Sequence, residues 1–514
     1  MRRSLTNIGL AALLAMNSFS FVGCQNSKRQ DTDTNPRLQT NPTDVAIIAP
    51  TFAPIELEAE EATFYGKVSF HNNSEGFSGT GYITGFENEG DACEFKLNIE
   101  TEGFYDLNFV SQALGGYKEN YVFVNGEKVG NLVVDASKFA DSKIERVFLL
   151  QGENTINVAK YWGYINIDKL ILTESKPIDP AIYDIPATLV NQNATDNAKR
   201  LMSYMTDIYG EKFLSGQYCD TGMYGIEMAT IWKTIGNKFP AVLGLDFMDY
   251  SLSRVENGSK SKATEYAVDF WDKGGIVTFC WHWNAPKKYL TGTWYRGFYT
   301  EETNIDLEKI MNGQDQEGYD LLMQDIDAIA KQLKTLQDAQ VPILWRPLHE
   351  ASGGWFWWGA KGSEAYKKLY ILLYEKLTNE YNLNNLIWVW NGQHKDWYPG
   401  DQYVDIIGED IYPGEKVYTS QIGKFLEAMQ YTEAKKMIIL SENGCLFDPD
   451  LAIRDGAMWG LWATWGGEFV SESPTLNWLS EQYTEEYMVK KVYDHDAVIT
   501  LDELPDLKTY TIRE

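Results

Sequence analysis

Eight short apolar runs recur along the second part of this 514-residue chain, and nearly every one ends in side chains that carry chemistry. They are KFLSGQY (212–218), FPAVLGLDFMD (239–249), GGIVTFCWHWN (274–284), VPILWRPLHE (341–350), LIWVWN (386–391), VDIIGEDIY (404–412), KMIILSENG (436–444) and GLWATWGG (460–467). Helix-like stretches lie between them, such as GYDLLMQDIDAIAKQLKTLQDAQ (318–340) and SEAYKKLYILLYEKLTNEYN (363–382). A strand that is apolar throughout is buried on both faces, and amphipathic helices supply the cover. Eight such units within residues 187–514 predict an α/β fold, a (β/α)8 TIM barrel. A barrel of this kind points the C-terminal end of every strand to one face.

The polar ends of the runs would therefore meet in one cleft. They read Gln217 and Tyr218; Asp246 and Asp249; His282, Trp283 and Asn284; His349 and Glu350; Trp390 and Asn391; Asp410 and Tyr412; Glu442 and Asn443; and Trp465. Glu350 ends the fourth run and Glu442 the seventh. One glutamate at a strand end is often half of a structural ion pair. Two facing carboxylates, one protonated and one ionised, are what cleavage of a glycosidic bond requires. A retaining enzyme holds them ~5–5.5 Å apart and an inverting one ~6.5–9.5 Å. The chain also holds 17 Trp and 31 Tyr, which suits stacking on sugar faces but equally suits aromatic-rich cores. Trp355, Phe356, Trp357 and Trp358 are consecutive, so they cannot all face one cleft. Trp355 is expected to offer a stacking surface and at least two of the others to pack inside.

WRPLHEASGGWFWWG (345–359), VDIIGEDIYP (404–413) and LSENG (440–444) together resemble glycoside hydrolase family 26, in the right strand order across the second domain. The resemblance implies a retaining endo-β-1,4-mannanase acting on β-mannan, galactomannan or glucomannan through a covalent glycosyl-enzyme. It places the acid/base at Glu350 and the nucleophile at Glu442. It also places His282, Arg346, His349, Trp355, Asp410, Tyr412 and Trp465 along the central subsites, with Trp459 and Trp462 competing for the place of Trp465. The family also contains β-1,3-1,4-glucanases, xylanases and exo-acting mannobiohydrolases, and these stay open. A reading from another class, a non-catalytic glycan-binding surface lipoprotein, is opposed by the intact Glu350 and Glu442. No His-rich ligand spacing occurs, and two carboxylates suffice, so no catalytic cofactor is expected.

Residues 55–175 read differently. EFKLNIE, FYDLNFVSQ, NYVFVNGEKVG, RVFLLQG, NTINVAKYW and YINIDKLILTE alternate apolar and polar residues and are separated by turn signals. They predict an all-β sandwich or jelly roll, with a hairpin at Asn125-Gly126. IELEAEEA (55–62), GFSGTGYITGF (76–86) and YWGYINIDKLIL (161–172) resemble carbohydrate-binding modules of family 35 and its neighbour family 6. That resemblance points to Trp162 and Tyr82 as sugar-stacking rings, although Tyr82 is equally suited to packing between the sheets. It also implies a structural calcium at Glu58, Glu60 and Asp168, whose hard oxygens suit that ion. Residues 176–186, rich in proline, read as a linker.

The net charge of −28 and the lack of basic runs exclude nucleic acid as an expected partner. Residues 1–23 combine Arg2 and Arg3 with a short, broken apolar stretch, the pattern of a secretory signal. The stretch ends in FVGC, which resembles a bacterial lipoprotein cleavage site with Cys24 as the lipidated residue, although Phe21 departs from the usual Leu. Residues 24–54 then form a polar tether. The expectation is a lipid-anchored lipoprotein of the cell envelope, at the outer membrane on its surface or periplasmic face. Apart from Cys24, the cysteines are expected to be free, buried thiols.

Overall fold

A computed structural model describes residues 53–513, so the signal segment, Cys24 and nearly all of the tether lie outside the described residues. The first domain is a sandwich of two antiparallel sheets. One sheet runs Ser69–His71, Tyr82–Thr84, Ile165–Glu174, Gly103–Ala113 and Ala140–Leu149, and Ile55–Glu58 also pairs with Ile165–Glu174. The other runs Thr63–Tyr65, Ala92–Ile99, Gly152–Lys160, Lys118–Val124 and Glu127–Val134. Period-two alternation sets the inside: along Gly103–Ala113 every second residue is buried. Phe95, Leu107, Phe109, Val122, Ile156 and Leu170 meet in a core separate from that of the second domain. Asn125 and Gly126 both have positive φ, 52° and 88°, and they join strands that pair from Val124 and Glu127 outward. Two positive φ values are what a tight hairpin of this twist needs.

The second domain is the expected barrel. Its strands, all parallel, are β1 (Gly216–Tyr218), β2 (Val242–Asp246), β3 (Ile276–Trp281), β4 (Ile343–Pro347), β5 (Leu386–Trp390), β6 (Ile406–Ile411), β7 (Met437–Asn443) and β8 (Trp462–Thr464), closed on themselves. β3 to β7 are buried along their whole length, as continuous apolar runs require. The helix Gln316–Asp338 starts where the Asp315 carboxylate accepts from the Gly318 N–H at 2.9 Å. The first run departs from the sequence pattern. KFLSGQY is divided, and Phe213–Leu214 pairs instead with Val498–Ile499, leaving β1 only three residues. Ser215 makes the break: its hydroxyl donates to the Ile499 carbonyl at 2.7 Å.

The linker lies on the barrel. The Tyr183 hydroxyl donates to the Gly456 carbonyl at 2.6 Å and Lys435 Nζ to the Ala181 carbonyl at 2.8 Å. Arg146, on a sandwich strand, donates from Nε to the Asp455 carbonyl at 2.7 Å, and the Arg454 guanidinium lies 4.3 Å from the centre of the Phe148 ring. Among the described residues, no helix is long and apolar enough to cross a membrane.

Candidate active site

At the end of β4 the backbone leaves the strand through two left-handed residues, Leu348 (φ 54°) and Glu350 (φ 52°). Neither is glycine, so the conformation costs on the order of 1–3 kcal/mol at each and must be held from outside. The Glu350 N–H donates to the Asn391 carbonyl at 2.7 Å, and Trp358 Nε1 donates to the His349 carbonyl at 2.8 Å. This turn brings the Glu350 carboxylate over the end of the barrel. Trp355 Nε1 donates to Glu350 Oε2 at 2.8 Å. An oxygen of Glu350, one of Asp410 and one of Glu442 lie within 4.8 Å of one another.

Arg346 sits beneath this group, wholly buried. Its NH1 donates to Asp410 Oδ2 at 2.6 Å and to Asn391 Oδ1 at 3.2 Å; its NH2 donates to Glu442 Oε1 and to the Tyr218 hydroxyl, the latter at 3.1 Å. The other oxygen of Glu442 accepts from the Tyr412 hydroxyl at 2.8 Å. Ser441 Oγ donates to Asp410 Oδ1 at 2.7 Å. Both oxygens of Glu442 are thus fixed by donors, which set the orientation of the carboxyl group.

Electrostatics singles out Glu350. Burial, reinforced by the charges of Asp410 and Glu442, holds the Glu350 carboxyl well above the usual carboxylate range. Burial pushes Asp410 up to about 7, although Arg346 opposes it. Burial would lower the Arg346 guanidinium, but Asp410, Tyr218 and Glu442 outweigh it and keep that group charged. Burial, with Arg346 and His282 beside it, drives His349 far below the ordinary histidine range, so its imidazole is neutral. A proton donor therefore faces a fixed carboxylate, the division of roles that glycosidic cleavage requires.

The other expected subsite residues divide. Trp355 and Tyr412 are exposed, and His282 and Trp465 are partly so. His282 is aimed by Asp246, with 2.6 Å between Nδ1 and Oδ2, and the Trp465 ring lies 4.8 Å from that of Tyr218. Arg346, His349 and Asp410 do not line an open surface, contrary to the expectation that they meet sugar. They are buried, and their polar atoms serve other side chains: Arg346 and Asp410 the Glu442 group, and His349 the ring of His282 at 3.2 Å. Phe356, Trp357 and Trp358 are all buried, one more than the minimum expected. The Trp357 indole N–H donates to the Trp283 carbonyl at 2.6 Å. Tyr218, Asp246 and Asn391 are polar strand ends to which the family resemblance assigns no role. Their side chains hold Arg346, His282 and the Glu350 turn.

In the sandwich, Trp162 is 56% exposed, whereas Tyr82 is 5% exposed. Tyr82 offers no open face: its ring meets Phe139 edge-on, and its hydroxyl donates to Asn73 Oδ1 at 2.8 Å. The Glu58 and Glu60 carboxylates converge on Gly79, whose lack of a side chain makes room for them. Glu58 Oε2 and Glu60 Oε2 are buried without a hydrogen-bond partner, a costly state that a divalent cation would relieve. Asp168 lies close enough for its charge to raise the Glu58 carboxyl further, after burial and Glu60, and its two oxygens each accept one hydrogen bond, from the Ser78 N–H at 2.8 Å and hydroxyl at 2.9 Å.

Comparison with known proteins agrees with this geometry. The family described as glycosyl hydrolase family 26 matches residues 190–503, and carbohydrate binding module (family 35) matches residues 55–175. A mannan endo-1,4-β-mannosidase of Thermothelomyces thermophilus is 40% identical over 460 residues, 88% of this chain and 91% of that protein. The crystal structure of the Podospora anserina GH26-CBM35 β-(1,4)-mannanase is 39% identical with a TM-score of 0.62, covering 89% of this chain and 99% of that one. A ruminal GH26 endo-β-1,4-mannanase is 28% identical with a TM-score of 0.64, covering 88% and 99%.

Proposed function

This chain belongs to glycosyl hydrolase family 26, and on that premise we propose that it is a retaining endo-β-1,4-mannanase hydrolysing β-mannan, galactomannan or glucomannan. The observation that carries the mechanism is the approach of Glu350 and Glu442, with an oxygen of each within 4.8 Å of the other. An inverting enzyme needs ~6.5–9.5 Å to seat a water between its carboxyl groups.

Glu442 attacks the anomeric carbon while Arg346 and Tyr412 hold its two oxygens in line. Glu350 gives its proton to the leaving oxygen as that bond breaks. A glycosyl ester on Glu442 results. Glu350, now ionised, takes a proton from water, which attacks the same carbon and frees Glu442. His282, Trp355 and Trp465 present ring surfaces to the sugar.

The sandwich adds glycan binding through Trp162, and a calcium ion at Glu58, Glu60 and Asp168 supports its fold. Calorimetry with and without a chelator tests the ion: an unchanged unfolding temperature rejects it. At the N-terminus, Cys24 is proposed to carry a lipid that holds the enzyme at the cell envelope. Mass spectrometry of the mature N-terminus tests this, since an unmodified Cys24 removes the anchor.

The activity is tested with purified protein on galactomannan, glucomannan, mixed-linkage β-glucan and xylan, following reducing ends and product lengths. Mixed short manno-oligosaccharides from the mannans are expected. Cleavage of mixed-linkage glucan with mannans untouched would overturn the substrate and keep the fold.

A further inference from the structure

Three successive strands end in side chains that touch one another in a row. Asp246 closes β2, His282 follows β3, and His349 stands in the turn after β4, one residue before Glu350. His282 Nδ1 lies 2.6 Å from Asp246 Oδ2, and His282 Nε2 lies 3.2 Å from His349 Nε2. Cys280 Sγ, at 3.9 Å from His282 Nδ1, is a weak partner beside the carboxylate. His349 Nδ1 is buried and has no hydrogen-bond partner. Phe356 and Trp358 confine the His349 ring, with ring centres 5.0 and 5.7 Å from its own.

The row admits one order of protons. Burial would raise the Asp246 carboxyl, but His282 and two backbone N–H groups outweigh it and hold it below the usual carboxylate range. An ionised carboxylate only accepts, so His282 carries its proton on Nδ1 and a lone pair on Nε2. His349, which is neutral, donates from its Nε2 into that lone pair, and its Nδ1 is left without a proton to place. The reverse order sets two acceptors 2.6 Å apart at Asp246. Any N–H at His282 Nε2 also forces the His349 proton onto Nδ1, a buried N–H with nothing to receive it.

We infer that Asp246 is a positioning residue for the acid/base: the proton order it imposes on His282 and His349 holds the turn that carries Glu350. The inference rests on the retaining mannanase reading above. His349 precedes Glu350 directly, and its carbonyl accepts from Trp358 Nε1, so fixing its ring secures the other side of that left-handed turn. An aspartate that accepts from an imidazole N–H is an established way to set a tautomer beside reacting groups.

Asp246→Asn separates proton order from shape. Asp246 Oδ1 accepts from the His282 and Met248 N–H groups at 3.1 and 2.8 Å. The amide oxygen of the variant takes that place, so its NH2 faces His282 Nδ1 and drives the imidazole proton to Nε2. In protein labelled with 15N-histidine, long-range 1H–15N spectra should show His282 protonated on Nδ1 and His349 on Nε2, and in the variant His282 protonated on Nε2. In the variant, kcat/KM on mannopentaose should fall about tenfold or more, and on a dinitrophenyl β-mannobioside, whose leaving group needs no proton, about threefold or less. His282 protonated on Nε2 in the unaltered protein would overturn the inference, and this is read without any variant. So would a variant that keeps its rate on mannopentaose, or one that loses the same factor on both substrates, the mark of a merely structural role. Failure of the unaltered enzyme to cleave mannopentaose would instead overturn the mannanase reading and leave the tautomer spectra as they stand.

Discussion

The division of labour between the two glutamates depends on hydrogen bonds a few ångströms away. Glu442 has two donors, Arg346 and Tyr412, whereas Glu350 has one, Trp355, and two negative neighbours. Its raised pKa gives the pH dependence a sign. The carboxyl must be protonated to assist departure, so activity falls as pH rises through that value. Glu350→Gln should lower kcat on mannan ~100- to 10,000-fold. The same variant should lose this alkaline limb and keep much more of its rate on an aryl mannoside whose leaving group needs no proton. An unchanged pH profile in the variant, measured by initial rates, would remove Glu350 from the role. The catalytic pair could be read from the sequence, because each residue closes an apolar run. The burial of Arg346, His349 and Asp410 could not, because motif position says which residues gather and not which of them touch solvent.

At the scale of elements, β6 carries chemistry on both faces. Asp410 points into the barrel toward Arg346, while Glu409 is buried on the other side, near Lys424 and Tyr431. Burial pushes Glu409 up to about 8, with Lys424 only partly opposing. Its folded-state pKa is raised, so the stabilisation is full in acid and is lost as pH rises from the ordinary glutamate range toward 8. One such group contributes a slope of up to ~1.4 kcal/mol per pH unit. Glu409→Gln should flatten the fall in unfolding free energy over that window, as measured by denaturant titration at several pH values. A slope equal to that of the unaltered protein would show that Glu409 titrates normally. The eight runs were legible because fully apolar strands alternate with amphipathic helices. The division of KFLSGQY was not, since it depends on Val498–Ile499, nearly 300 residues away in the chain. The Asn125-Gly126 hairpin was legible because its turn chemistry is local.

The described residues form a sandwich seated on a barrel, with a linker that lies along the barrel surface. Arg146 has a left-handed backbone (φ 59°) and donates to the Asp455 carbonyl, and Ser420 donates to the Asp455 carboxylate at 2.5 Å. A sandwich strand is in this way connected to the segments beyond β6 and β7. Arg146→Ala should weaken this seat by about 1–3 kcal/mol, seen in calorimetry as separation of the sandwich and barrel transitions, with kcat on short oligosaccharides little changed. A single unaltered transition would mean that other contacts carry the interface. The central claim is that the pair works by double displacement, with Glu442 as nucleophile. The most direct measurement is to trap the intermediate with a 2-deoxy-2-fluoro-β-mannosyl fluoride and map the adduct by peptide mass spectrometry. The account predicts one glycosyl unit per chain, esterified to Glu442. An adduct on another residue, or complete consumption of the fluoride with no covalent species at any time, would contradict it.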